Sequence, residues 1–489
     1  MIRRSGLFVL LGWMVFFCSG CYKIKGSNGG GQKSALAERR IDARGILLPP
    51  GYKAEAITSN LTFPTDAVFD DKGNLYIIEA GYSYGEAFTE PRLLKLGPNG
   101  STTIIATGDK NGPWTGIDFH EGNFYVAEGG VLEGGRILRI SPSGNMTPLV
   151  SNLPSFGDHH TNGPVVHAGF IYFTVGTATN SGVVGPDNAK FGWLKRKPQF
   201  HDIACRDVVL SGQNYVSDHA LTDVAGNTVR TGAFVPYGTA TTPGQVITGA
   251  VPCSGAVLRM PVNGGNMELV AWGLRNPFGL AVAPGGRLFT TENAFDERGS
   301  RPVWGAGDVL WEVQQGAWYG WPDYSAGKKV SFDEEFGSPK KKPRAVQPLL
   351  QQYPGTPPRP AAIFGVHSSA NGFAFSNNDA FGFRGEAFVA QFGDMAPEVG
   401  KVWAPVGFKV VRVNVETGVI RDFAVNRGRR NGPASWLGNG GLERPVSVVF
   451  DPSGKDMYIV DFGTVRIDKL GTHPQKGSGV IWKISKAAP

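Results

Sequence analysis

A pattern of apolar strand, turn, apolar strand recurs six times along the chain, and it limits the fold more than any other feature. The copies read PTDAVFDDKGNLYIIEAG (64–81), WTGIDFHEGNFYVAEGG (114–130), HTNGPVVHAGFIYFTVGT (160–177), RNPFGLAVAPGGRLFTTENA (275–294), NGFAFSNNDAFGFRGEAFVAQFGD (371–394) and RPVSVVFDPSGKDMYIVDFG (444–463). A third strand with period-two alternation follows each copy, as in GRILRISPSG, GAVLRMPVNGG and GVIWKIS, and a fourth leads on, as in STTIIATG and MELVAWGL. Four such strands in series make a propeller blade, so the chain is expected to be all-β: a six-bladed β-propeller of four-stranded antiparallel blades. Second strands such as LYIIEAG are apolar on both faces, which suits blades that pack on one another. The 69 glycines and 34 prolines in 489 residues supply turns for many short strands rather than long helices.

The last copy ends near Ser485 without an outer strand. The segment YKAEAIT (52–58) can supply it, and closing the ring in this way leaves no sheet edge to protect. One long insertion, about 182–252, falls between the third and fourth copies and is expected between blades 3 and 4, over one rim of the central funnel. A second long loop, 325–360, is rich in Pro and Lys and is expected on the same rim, where loops set specificity.

The first residues read as an export signal. Arg3 and Arg4 precede an apolar run, 7–17, that is too short to span a bilayer. Cys18-Ser19-Gly20-Cys21 then resembles a bacterial lipoprotein cleavage site, with Cys21 lipidated; an ordinary signal peptide is the alternative. The expected organisation is a signal over 1–21, a flexible tether over 22–45 and the propeller over 46–489, in a periplasmic or cell-surface protein touching the membrane through its lipid alone. Export leaves Cys205 and Cys253 in the body, and an oxidising compartment favours one disulfide over two free thiols. No C-x-x-C-H haem site is present. The basic runs 195–197 and 340–342 lie beside prolines without interleaved aromatics, so they read as solvated loops and not as a nucleic-acid surface.

In a propeller, residues that open the innermost strands converge on the axis. Here these are Asp66, Trp114, His159 or His160, Arg275 with Asn276, His367 with Asn371, and Arg444. Arginines, imidazoles and a tryptophan around one channel suit a planar polyanionic ligand. A second ring, Glu79, Glu128, Glu292 and Asp461, closes the second strands and could bind a hard cation or pair with the arginines. A purely structural polar plug is the other reading of both rings.

Several separated segments match one family in blade order: GDHHTNG (157–163), GLRNPFGLAVAPGGRLFTTEN (273–293), GAWYGWPDY (316–324), VGFKVVRV (406–413) and ERPVSVVFDP (443–452). In these the chain, over roughly 46–485, resembles the soluble quinoprotein glucose and sorbosone dehydrogenases, which use pyrroloquinoline quinone (PQQ) and calcium. The resemblance implies oxidation of an aldose or related sugar or aldehyde by hydride transfer to PQQ. It assigns the base to His159, oriented by Asp158, with His160 as the competing imidazole. Arg275 would polarise the quinone and steady the substrate oxygen, and Asn276 would touch the cofactor. Arg444 falls on the first of two cofactor arginines, Val446 replaces the second, and Lys409 would supply the missing charge. Calcium would be held near Glu292 and Asp308, although Ala294, Val309 and Trp311 depart from the family's pattern. Tyr319 and Trp321 fit packing as well as substrate stacking. Electrons would leave to a separate cytochrome or quinone. Two other readings are a calcium-dependent lactonase and a non-catalytic binding protein on the same scaffold.

Overall fold

The computed structural model describes residues 39–487 apart from 84–86, 131–132, 191, 223, 305–306, 331–335, 337–345, 395–404 and 469–470. The signal, Cys21 and most of the expected tether lie outside the described residues. Six antiparallel sheets form the blades. The innermost strands, Pro64–Phe69, Trp114–His120, Thr161–His167, Asn276–Val282, Ala370–Phe375 and Pro445–Phe450, touch their neighbours all the way round, the sixth against the first. No described helix is long and apolar enough to cross a membrane.

Blade-on-blade packing follows from the doubly apolar second strands. In Leu75–Glu79 the side chains of Ile77 and Ile78 point to opposite faces, as strand geometry requires. Ile77 joins the core shared with Val446, Val460 and Ile481 of blade 6. Ile78 joins the core shared with Ile117, Phe124 and Val126 of blade 2. Both are fully buried, each worth roughly 1.5–3 kcal/mol of apolar transfer.

Blade 6 closes as expected. Tyr52–Leu61 pairs antiparallel with Gly479–Lys486, which in turn pairs with Met457–Asp461. Residues 39–45 of the expected tether pack on the ring, with Arg39 ion-paired to Asp461 at 2.5 Å and a 3₁₀ turn at Ala43–Gly45, and the first residues of the propeller, Ile46–Leu47, add a fifth strand to blade 5.

The insertion corrects the expected topology. It interrupts blade 3 itself, between Phe170–Val175 and Ala256–Pro261, which are hydrogen-bonded partners, and does not separate blades 3 and 4. The connection leaves from the end of the ring where second strands exit, so the insertion folds over that end. It contains the short helices Pro186–Lys190 and Trp193–Arg196 and two small hairpins, Val208–Val209 with Val246–Ile247 and Tyr215–Asp218 with Thr228–Thr231. A disulfide joins Cys205 to Cys253. The loop after Gly307–Glu312 packs under the insertion: Leu210 bridges Leu350, and Phe234 meets Trp321 edge-on. Buried Arg301, in the loop before Gly307–Glu312, pairs with buried Asp323 at 2.7 Å and donates to the Ser181 carbonyl at 3.1 Å, beside the start of the insertion.

Candidate active site

A cavity of about 570 Å³ occupies the funnel at the end covered by the insertion. That lies within the roughly 300–1,000 Å³ of small-molecule sites. Its walls carry Phe278, Phe392, Phe462, Val446 and Pro113, and its polar groups include His159, His160, Arg275, Asn276, Asp308, His367 and Asn371. Asp158 lies in the same wall, and the insertion adds Asp187 and Trp193.

His159 is buried just before the first strand of blade 3. Its Nδ1 lies 2.9 Å from the carbonyl oxygen of Thr177. A carbonyl only accepts, so Nδ1 carries the proton and Nε2 is left as the basic nitrogen. Burial, with Arg275 and Arg298 nearby, pushes the imidazole well below its ordinary range, so it is neutral at physiological pH. The backbone at Gly176 makes room for this ring: a Cβ there would sit 2.3 Å from the His159 Cβ. Asp158 does not orient the imidazole, contrary to expectation; it pairs with Arg298 at 2.8 Å. Burial pushes the Asp158 carboxyl up to about 6 despite that partner.

Arg275 is held from three sides. Its Nε donates to the Asn180 carbonyl at 3.0 Å, its Nη1 to the Asn293 carbonyl at 3.0 Å, and its Nη2 to Asn180 Oδ1 at 2.8 Å and to Asp296 at 3.1 Å. Asn276 donates to Asn293 Oδ1 at 3.1 Å. Arg298 links Asp158, Asp187 and Asp296 at 2.8, 2.8 and 3.2 Å. Burial alone would raise Asp296, but Arg275 and Arg298 outweigh it and hold the carboxylate ionised. His367 completes the chain of charges, its Nδ1 3.5 Å from Asp296. His160 also lines the cavity, and burial pushes it down to about 4. Arg275, Arg298 and Asp296 all act on His159.

Other expected site residues fall elsewhere. Arg444 is fully buried and outside the cavity wall, donating to the carbonyls of Phe392 and Gly393 at 3.3 and 3.2 Å between the rings of Phe392 and Phe408. Lys409 opens a third strand, away from the axis, where it pairs with Asp422 at 2.6 Å in a separate outer groove. Asp66 faces a second cavity at the opposite end of the channel. Trp114 is fully buried, its indole 3.3 Å from Glu128. Tyr319 and Trp321 are packing residues; the Tyr319 hydroxyl donates to the Glu312 carbonyl at 2.6 Å.

The acidic ring is a set of blade clasps. Glu292 accepts the Arg275 backbone N–H and the Trp311 indole N–H at 2.6 Å. Asp461 accepts the Arg444 N–H at 2.8 Å and the Trp482 indole at 3.1 Å. Glu79 accepts the Thr62 N–H and pairs with Arg92 at 2.5 Å, and Glu128 pairs with Arg136. Each acid ties its own blade's strands together. Asp308 lines the cavity, but its oxygens accept the Ala294 and Ala370 N–H groups and the Ser368 hydroxyl. The carboxylates of Glu292 and Asp308 are thus already engaged by protein donors, and no cluster of three metal-binding side chains occurs among the described residues.

Thr177, Asn180, Asp187, Asp296 and Arg298 were not expected at the site. The dense charges of Asp296-Glu297-Arg298, directly after a second strand, were the one visible signal.

The glucose / sorbosone dehydrogenase family model matches residues 248–395, the stretch that holds Arg275, Asn276, Asp296, Arg298 and His367. No curated protein matches the chain. Among solved structures, a Trichoderma reesei enzyme of carbohydrate-active family AA12 is 15% identical with a TM-score of 0.55, covering 92% of this chain and 100% of that one. The PQQ domain of a Coprinopsis cinerea pyranose dehydrogenase is 15% identical with a TM-score of 0.52, covering 92% and 98%. The soluble aldose sugar dehydrogenase of Escherichia coli is 14% identical with a TM-score of 0.51, covering 89% and 100%. At these identities the structural likeness establishes the six-bladed propeller fold.

Proposed function

We propose that this protein is an exported, lipid-anchored oxidoreductase that oxidises an aldose or a related sugar or aldehyde, with PQQ as its cofactor. The observation that carries the reading is a neutral imidazole, His159, whose Nε2 is left basic in a cavity shared with the fixed guanidinium of Arg275. The cavity fits a flat aromatic quinone: Phe278, Phe392, Phe462 and Val446 supply apolar wall. Two buried polar atoms of its lining, Asn162 Oδ1 and His367 Nε2, have no protein partner. Asn276, Arg275, Asn162 and His367 would hold the cofactor. PQQ, when bound, supplies the hydride acceptor for the chemistry.

The chain's own residues do the rest. His159 Nε2 takes the proton of the substrate hydroxyl, and Thr177 keeps the ring in the tautomer that can do so. Arg275 steadies developing negative charge on oxygen, and its anchoring by Asn180, Asn293 and Asp296 spares reorganisation during the reaction. Phe392 and Trp193 help exclude water from the cavity. Lys409 and Arg444 have no part in this scheme, and calcium is not included because Glu292 and Asp308 have their oxygens engaged. That engagement also weighs against the lactonase reading. The family match over 248–395 supports sugar oxidation over a purely binding role. Anchoring at Cys21, in the periplasm or at the cell surface, and transfer of electrons to a separate cytochrome or quinone complete the proposal.

The test is purified full-length protein mixed with PQQ, a redox dye and a panel of aldoses. Cofactor uptake with dye bleaching supports the reading. Absence of both uptake and turnover refutes it.

A further inference from the structure

We propose that the outer rim of blade 5 is a membrane-contact surface that lies against an anionic phospholipid bilayer. The inference rests on the lipid-anchored reading above and asks which face the anchor holds down. Arg427, Arg429 and Arg430 are all exposed just after the last strand of blade 5, and Arg40 and Arg44 are exposed beside them. The segments form one surface: Asp42 N–H donates to the Gly440 carbonyl, Arg427 Nε to the Arg44 carbonyl at 2.8 Å, and Asn439 to the Arg427 carbonyl at 2.6 Å. Among the described residues the acids near these five arginines are Asp42, paired with Arg44 at 2.8 Å, and Asp422, paired with Lys409 at 2.6 Å in the groove that Arg429 and Arg430 also line.

A basic patch by itself is most often a solvated face. Two further observations point to lipid. Ile41 and Leu47 are 41% and 44% exposed within the patch, and the guanidinium of Arg430 lies 4.9 Å over the half-buried indole of Trp436. Apolar side chains and an interfacial tryptophan ringed by arginines match the headgroup layer of an anionic bilayer. The second observation is position. The described residues nearest to Cys21 in sequence are Arg39, buried against Asp461 of blade 6, and then Arg40, which opens the patch. An anchor at Cys21 therefore holds this rim, and not the far side of the ring, near the bilayer. An acidic soluble partner would match the charge but not the exposed Ile41 and Leu47.

The test uses the full lipidated chain on vesicles of phosphatidylcholine alone and with phosphatidylglycerol added, read by hydrogen exchange over 419–431. Amides at 427–431 should exchange about tenfold more slowly on the anionic vesicles at low salt, with the difference lost at high salt. It should also be lost in Arg427→Ser/Arg429→Ser/Arg430→Ser, whose turnover matches the parent. Equal exchange on both vesicles overturns the proposal, as does protection that needs an acidic soluble protein and not lipid. The anchor is judged separately: an unlipidated Cys21 by mass, with attachment to anionic vesicles alone, refutes the anchor and leaves the patch standing.

Discussion

Glu292→Gln replaces one carboxylate oxygen with an amide nitrogen and separates the clasp reading from the metal-ligand reading. The glutamine carbonyl can still accept the Arg275 N–H, but its NH₂ would face the Trp311 indole N–H, donor against donor. A buried donor without an acceptor costs about 1–3 kcal/mol. Protonation adds a pH dependence. Burial pushes Glu292 up to about 7, against its ordinary value of 4.5. Between those values the folded chain holds a proton that the unfolded chain has lost. The group's contribution to stability therefore falls as pH rises through that window, by about 3 kcal/mol in all. Glutamine does not titrate, so the variant should be less stable than the parent near pH 5, and the difference should shrink or reverse by pH 8. At roughly 2 cal/mol/K of unfolding entropy per residue, 1 kcal/mol is about 1 °C in a chain of this size, so the gap in melting temperature should narrow by about 3 °C. Scanning calorimetry from pH 5 to 8, with and without a chelator, reads this directly. A gap that stays constant with pH, or a parent that loses stability on chelation while the variant does not, would refute the clasp.

Four other outcomes follow from the same geometry. His159→Ala should lower turnover by about 10²–10⁴-fold with little change in melting temperature, measured with the dye assay. Because burial and two arginines hold His159 well below its ordinary value, the parent's rate should stay level down past pH 6; in Arg298→Met the acid limb should move to higher pH. Lys409→Ala should leave turnover and cofactor uptake within about twofold of the parent, since Lys409 pairs with Asp422 outside the cavity. Cys205→Ser/Cys253→Ser opens a loop of 48 residues and should lose at most about 4 kcal/mol, seen as faster proteolytic nicking of the insertion.

The ring was legible because blade packing writes itself into single strands: Ile77 and Ile78 must both be apolar whatever lies beside them. The closing strand was legible because the last copy lacked a partner for an apolar run. Placement of the insertion was harder, since Ala256–Pro261 belongs to blade 3 only through hydrogen bonds to Phe170–Val175, some 80 residues earlier. Glu292 and Asp461 looked like channel residues because their partners, Trp311 and Trp482, sit on the third strand of the same blade. Lys409 looked central because its motif matched, yet third strands lie away from the axis. Arg298 and Asp296 sit in a loop with no counterpart in the other copies, so the repeat carried no information about them. His159 and Arg275 were found by motif, and the strands deliver both to one cavity.

The pairing of Tyr52–Leu61 with Gly479–Lys486 also sets an order of events in the life of the chain. The latch joins Tyr52–Leu61 to a segment made long after it, Gly479–Lys486. Until Gly479–Lys486 is made, a nascent molecule carries two unmatched strand borders, one on Tyr52–Leu61 and one on Met457–Asp461. Two such molecules side by side could each lend the other its early strand, giving an intertwined pair with every native hydrogen bond in place. Protection of those borders during synthesis, and not the strength of the finished ring, is then what decides how much of the chain matures as separate molecules.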